Sequence, residues 1–295
     1  MKRVLRILSF VVLGMAVLVG GASWFMSRAS AVPAVVRAAA HSHSTASGSP
    51  SSGAAAPSAS PVPASTDPTV GSVYRTVGLG DSVPAGTNCP DCTEYVTQVG
   101  RAMASSSGKV ASVDNEAVAG ATTSDVLAQL ADASIRARIA DADLVIITIG
   151  ANDLDTSQID GDCYPLSTTG CYRDDLVGIS SRLTAIVNRV QGLMSRPGGT
   201  IVLTGYWNVI EDGEVGAENG STYVTASDEL TRMFNADVSA VATATSTAYV
   251  DVYTPFKGAS GTTDDTQLLA SDGDHPNAAG HAVLARAIET ALGVE

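Results

Sequence analysis

The run Val73-Tyr74-Arg75-Thr76-Val77-Gly78-Leu79 leads directly into Gly80-Asp81-Ser82, and this join sets how the rest of the chain is read. A short apolar segment ending in a polar turn predicts a strand over Val73–Leu79. Working outward, Leu144–Ile149 is a continuous apolar run, as expected of a strand buried on both faces. Further strands are expected at Val110–Val113, Ile201–Thr204 and Ala248–Val252. Between them, apolar residues recur at helical spacing over Thr93–Ser106, Thr123–Ala140, Asp174–Met194, Ser221–Ala244 and Asn277–Leu292. Strands alternating with helices predict an α/β architecture of three layers, with a central parallel sheet of about five strands. Sites in such sheets form beyond the carboxyl ends of the strands, where Gly80-Asp81-Ser82 falls.

The 295 residues divide unevenly. Met1-Lys2-Arg3-Val4-Leu5-Arg6 is basic, and Ile7–Met26 then runs twenty residues without a charge. As a helix that run would be about 30 Å long, one hydrocarbon thickness. Ala29-Ser30-Ala31 also fits a signal-cleavage site. Residues 1–31 are therefore expected to be a membrane anchor or a cleaved signal, and either places the remainder outside the cytoplasm, anchored or secreted. Of the 39 residues in 32–70, thirty are Ala, Ser, Pro, Gly or Thr, which predicts a flexible stalk. His41 and His43 lie in this stalk and are read as incidental. Residues 71–295 are left as one globular domain, with the membrane reached only through the amino-terminal segment.

Five of the seventeen basic residues but only one of the thirty acidic ones precede residue 71. The domain therefore carries a net charge of −17 against −13 for the whole chain. Such a surface opposes nucleic-acid binding, which requires a basic patch.

Ser82 gains meaning from Asp272-Gly273-Asp274-His275-Pro276, almost two hundred residues later. A serine hydroxyl is a weak nucleophile and needs an adjacent base. A histidine supplies one, and an aspartate fixes its tautomer and stabilises the imidazolium. The spacing Asp-x-x-His sets Asp272 and His275 on one side of a tight loop, so Ser82, His275 and Asp272 are the candidate catalytic residues. His281 reads as a packing or surface residue, and Asp274 is expected to point elsewhere. Two more blocks stand between: Asn115-Glu116-Ala117-Val118-Ala119-Gly120-Ala121-Thr122 and Gly150-Ala151-Asn152-Asp153.

These four blocks, in this order, make the chain resemble the SGNH or GDSL-type hydrolase family of esterases and lipases. Val83 departs from the leucine of the original motif. The resemblance implies a flavodoxin-like sheet and a serine ester hydrolase that needs no cofactor and no metal. It also implies an oxyanion hole made by the backbone N–H of Ser82, the backbone N–H of Gly120 and the side-chain amide of Asn152. The Gly-x-Ser-x-Gly elbow of the α/β-hydrolases is absent, because residue 84 is proline. Asp81 is expected to orient the turn rather than join the triad.

Four cysteines allow three pairings. Outside the cytoplasm disulfides are the default, and proximity favours Cys89–Cys92 and Cys163–Cys171, with a four-cysteine zinc site as the rival. Tyr206 and Trp207 follow the fourth strand and are weak candidates for lining the substrate pocket. Asp155, Asp160 and Asp162 lack a calcium-loop pattern and read as solvated acids. The expected partner is a small ester, or an acylated glycan or lipid. A carbohydrate deacetylase, an acyltransferase, an envelope lipase and a catalytically silent wall-binding module remain as alternatives.

Overall fold

The computed structural model describes residues 72–294, so the expected anchor or signal and the stalk lie outside the described residues. Among the described residues no helix is long and apolar enough to cross a membrane. Five strands form one all-parallel sheet: β1 (Val73–Gly80), β2 (Val110–Asn115), β3 (Leu144–Thr148), β4 (Thr200–Thr204) and β5 (Ala248–Val250). Their spatial order is β2-β1-β3-β4-β5, which is the expected flavodoxin-like arrangement. Every residue of β3 is buried, as its unbroken apolar sequence requires.

The main helices are α1 (Tyr95–Ser106), α2 (Thr123–Gln129), α3 (Ala133–Ala140), α4 (Arg173–Leu193), α5 (Ser221–Thr245) and α6 (Ala278–Ala291). Helix α4 buries Leu176, Ile179, Leu183, Ile186, Val187 and Val190, a stripe at helical spacing. The single helix expected over Thr123–Ala140 is two helices. Asp132 breaks it, because its carboxylate accepts hydrogen bonds from the N–H groups of Ser134 and Ile135 and so starts a new helix. Strand β5 ends at Val250 rather than Val252, since Tyr253–Lys257 turns into a short helix.

Strand β1 meets β3 with Gly80 opposite Thr148. Gly80 has φ +146°, and a Cβ there would overlap the carbonyl oxygen of Thr148. Only glycine permits that approach. Gly80→Ala should therefore destabilise the domain by about 3 kcal/mol or more, from backbone strain and overlap together. Urea unfolding measures this, and a variant within about 1 kcal/mol of the parent would mean that the strand ends relax apart.

Candidate active site

The first block forms a hydrogen-bonded turn. The N–H of Asp81 donates to the carbonyl of Thr148 at 3.2 Å, continuing the strand pairing. Its Oδ1 accepts from the N–H of Val83 at 3.1 Å, capping the one-turn helix Ser82–Ala85. Its Oδ2 accepts the phenol proton of Tyr206. Asp81 is thus the organiser of the turn. It is only 1% exposed. Burial drives its carboxyl up to about 7, against the opposing hydrogen bonds from Tyr206 and Val83. Ser82 opens the short helix and stays partly accessible. Gly86, at φ +74°, ends that helix.

The second and third blocks are joined to one another. Thr123 donates to Asp153 through its backbone N–H at 2.8 Å and its hydroxyl at 2.6 Å. Arg182, from α4, donates to the same carboxylate at 2.8 Å. The amide of Asn152 donates to the carbonyl of Ala121 at 3.0 Å, which uses one of its two protons. Gly120 and Asn152 are therefore held in register by Asp153, a residue to which the sequence reading gave no role. Gly120 sits in an exposed turn at φ +78°, with open space where a Cβ would be. Among the described residues, the N–H groups of Ser82 and Gly120 donate to no protein acceptor.

The fourth block closes as a compact loop. Oδ1 of Asp272 accepts from the backbone N–H groups of Asp274 and His275, both at 3.1 Å. Its Oδ2 lies 2.7 Å from Nδ1 of His275. Asn88, from the loop before α1, donates its amide to that same Oδ2. Burial alone would raise the Asp272 carboxyl, but the bonds from His275, Asn88 and Asp274 outweigh it and hold it at about 2. The carboxylate is thus ionised at all working pH values. It fixes His275 with a proton on Nδ1 and leaves Nε2 as the basic atom. The N–H of Asp212 donates to the carbonyl of Gly273 at 2.7 Å and braces the loop from below. Gly273 must be glycine, because its φ is +71° and a Cβ would press on Val215.

A cavity of about 350 Å³ opens beside Ser82 and Asn152. Tyr206 lines it, and so do Asn208, Glu211, Tyr223 and Asp274. Trp207 does not line it. Its indole stacks on Phe256 at 4.6 Å between ring centres and is buried in the core. Consecutive residues of an extended segment face opposite ways, and only Tyr206 turns towards Asp81. Asp274, expected to point elsewhere, reaches the cavity wall, with a carboxylate oxygen 3.7 Å from Nδ1 of His275. His281 is buried and stacks on Tyr95, as a packing residue would. Cys89–Cys92 and Cys163–Cys171 are both disulfides, so the four cysteines do not form one zinc site. Asp155, Asp160 and Asp162 are exposed.

Residues 79–283 match the model of the GDSL-like Lipase/Acylhydrolase family. The chain belongs to this family. The GDSL-like domain also resembles solved structures. A lipase, Lip_vut3, from a goat rumen metagenome superposes with a TM-score of 0.61 at 19% identity, covering 74% of this chain and 97% of that one. The acetylxylan esterase Axe2 of Geobacillus stearothermophilus gives 0.54 at 22% identity, covering 77% and 97%. Variants of Axe2 described as catalytic mutants replace a serine, an aspartate and a histidine, the last two separated by three positions. An uncharacterized protein, YpmR, of Bacillus subtilis (strain 168) is 40% identical over 77 residues, which is 26% of this chain and 30% of that relative.

The buried Asp81 makes the stability of this GDSL-like domain depend on pH. The folded protein keeps the Asp81 proton up to about pH 7, while the unfolded chain loses it near 3.8. Between those values the folded state binds more protons, so this group makes stability fall as pH rises. Asp81→Asn should remove that slope. Its stability relative to the parent, measured by urea unfolding, should climb from about pH 4 to about pH 7 and then level off. An equal difference at both ends of the window would mean that Asp81 is ionised throughout.

Proposed function

We propose that the domain is an extracytoplasmic serine ester hydrolase that works through an acyl-enzyme on Ser82. His275 takes the Ser82 proton on Nε2 as Oγ attacks the ester carbonyl. Asp272 holds the ring and stabilises the imidazolium. The N–H of Ser82, the N–H of Gly120 and the free amide proton of Asn152 receive the oxyanion. His275 then protonates the departing alkoxide. A water, deprotonated by His275, attacks the acyl-enzyme and releases the acid and Ser82. No step requires a cofactor. The observation that carries this reading is the 2.7 Å contact of His275 Nδ1 with an otherwise fully hydrogen-bonded Asp272, on a loop whose Asp274 lines the same cavity as Ser82.

Two disulfides and the basic, then apolar, amino-terminal sequence support a site outside the cytoplasm, reached either by anchoring or by secretion. The cavity wall contributes Asn152, Thr156, Asn208, Glu211, Tyr223 and Asp274, and Val83, Leu154, Val209 and Ile210 are its larger apolar members. That surface suits a short acyl group and a polyhydroxylated alcohol better than a long chain. Deacylation of acylated glycans is accordingly the favoured form of the activity, in keeping with the fold shared with an acetylxylan esterase. A silent wall-binding module would have no use for a base aligned by a carboxylate.

Ser82→Ala and His275→Ala should each lower kcat by about 10³-fold or more, and the double variant should be no worse than the worse single one. A folded Ser82→Ala protein with near-normal turnover would remove the triad. Asn152→Ala should cost about 10²–10³ in kcat with little change in KM, since the amide bonds the oxyanion more strongly than the ester carbonyl. A change confined to KM would make Asn152 a binding residue instead. Across esters that differ only in acyl length, kcat/KM should peak between acetyl and hexanoyl. A maximum at a dodecanoyl or longer chain would favour a lipase.

A further inference from the structure

Asn88 holds a position that neither the motifs nor the family resemblance accounts for. Its amide donates to Oδ2 of Asp272, the oxygen that also meets Nδ1 of His275, and it lies 3.4 Å from that nitrogen. The other carboxylate oxygen is already taken by two backbone N–H groups. Asn88 therefore completes the shell around Asp272 and prevents the carboxylate from turning Oδ2 away from the imidazole. Its backbone has φ +59°, in the left-handed region that asparagine tolerates better than most residues.

The loop that presents Asn88 is short and tied at both ends. Five residues separate it from Ser82, and the N–H of Thr87 donates back to the carbonyl of Ser82 at 3.0 Å. On the other side, Cys89 is bonded to Cys92, and the N–H of Cys89 donates to the carbonyl of Gly86 at 3.3 Å. The sulfurs lie within 4.8 Å of a ring nitrogen of His281, on the helix that follows the catalytic loop. One small disulfide loop thus links the serine end of the site to the aspartate end.

We propose that Asn88 is a positioning residue for the Asp272–His275 pair, and that the Cys89–Cys92 disulfide serves catalysis by holding Asn88 in place. The inference rests on the triad reading above. It makes the enzyme sensitive to thiols: an external dithiol gives two electrons to the Cys89–Cys92 bond, is itself oxidised to a disulfide, and leaves two protein thiols and a loosened Asn88. Both cysteines are partly accessible, so such a reagent reaches them.

Asn88→Gly removes the amide without straining the left-handed backbone. It should lower kcat about ten-fold, the loss expected for one hydrogen bond to a charged group, and leave KM within about two-fold. Asn88→Asp keeps the shape but sets a second carboxyl against Asp272. The two share a proton in acid and repel when both are ionised. The kcat of this variant relative to the parent should therefore fall as pH rises from about 5 to about 8, a dependence that mere loop damage would not produce. The variant Cys89→Ser/Cys92→Ser, which leaves Cys163–Cys171 intact, should lose kcat to a similar extent in the parent but nothing further in the Asn88→Gly background.

A second measurement does not depend on turnover. At a pH where His275 is neutral, ¹⁵N shifts from long-range ¹H–¹⁵N correlation should show the Nδ1–H tautomer in the parent. A clear Nε2–H fraction should appear in Asn88→Gly and in the serine double variant. Unchanged tautomer populations in Asn88→Gly, or disulfide loss equally costly in both backgrounds, would overturn the proposal. If Ser82→Ala retained hydrolysis while the tautomer still responded to Asn88, the triad reading would fall and the positioning role would stand.

Discussion

The site depends on one backbone contact, the approach of Gly80 to Thr148 where β1 closes on β3. That pairing sets the height at which both strands end. Ser82 lies two residues beyond Gly80, and Asn152 lies four beyond Thr148, so both emerge at one edge of the sheet. The N–H of Asp81 extends the pairing by one more hydrogen bond before the chain turns. A side chain at Gly80 would force the two strand ends apart, and the turn would lose the register that aims Ser82 into the cavity.

Around this contact, carboxylates with different surroundings do different work. Asp81 is sealed beneath the turn, where burial favours its protonated form, and its carboxyl is hydrogen-bonded by Tyr206 and Val83. Asp153 receives Arg182 and both Thr123 donors, and acts as a clamp between two loops. Asp272 is surrounded by donors and stays ionised, as the proposed role beside His275 requires. A net charge of −17 across residues 71–295 is borne with Asp81, Asp153 and Asp272 each hydrogen-bonded locally and the buried Asp212 and Asp265 set against Lys257.

Much of this was readable before the structure. The unbroken apolar run of β3 and the strand-turn join at Gly80 set the parallel sheet, and the Asp-x-x-His spacing gave the compact loop. Other features were hidden for identifiable reasons. The break at Asp132 is a local competition between capping and helix continuation, and the apolar spacing carries across it. Trp207 turns into the core although it adjoins Tyr206, because adjacency in sequence does not say which way a side chain faces. Asn88 and Asp153 look like ordinary turn residues, since their roles lie in contacts with residues 184 and 30 positions away. A pairing of distant polar side chains leaves no periodic trace.

The central claim is that Ser82 is the nucleophile served by His275 and Asp272. The most direct test is to inactivate the domain with a fluorophosphonate and map the adduct by peptide mass spectrometry. The account requires one phosphonyl group per chain, on Ser82, with labelling abolished by His275→Ala. An active hydrolase that takes up no phosphonate, or takes it up on a different residue, would contradict it.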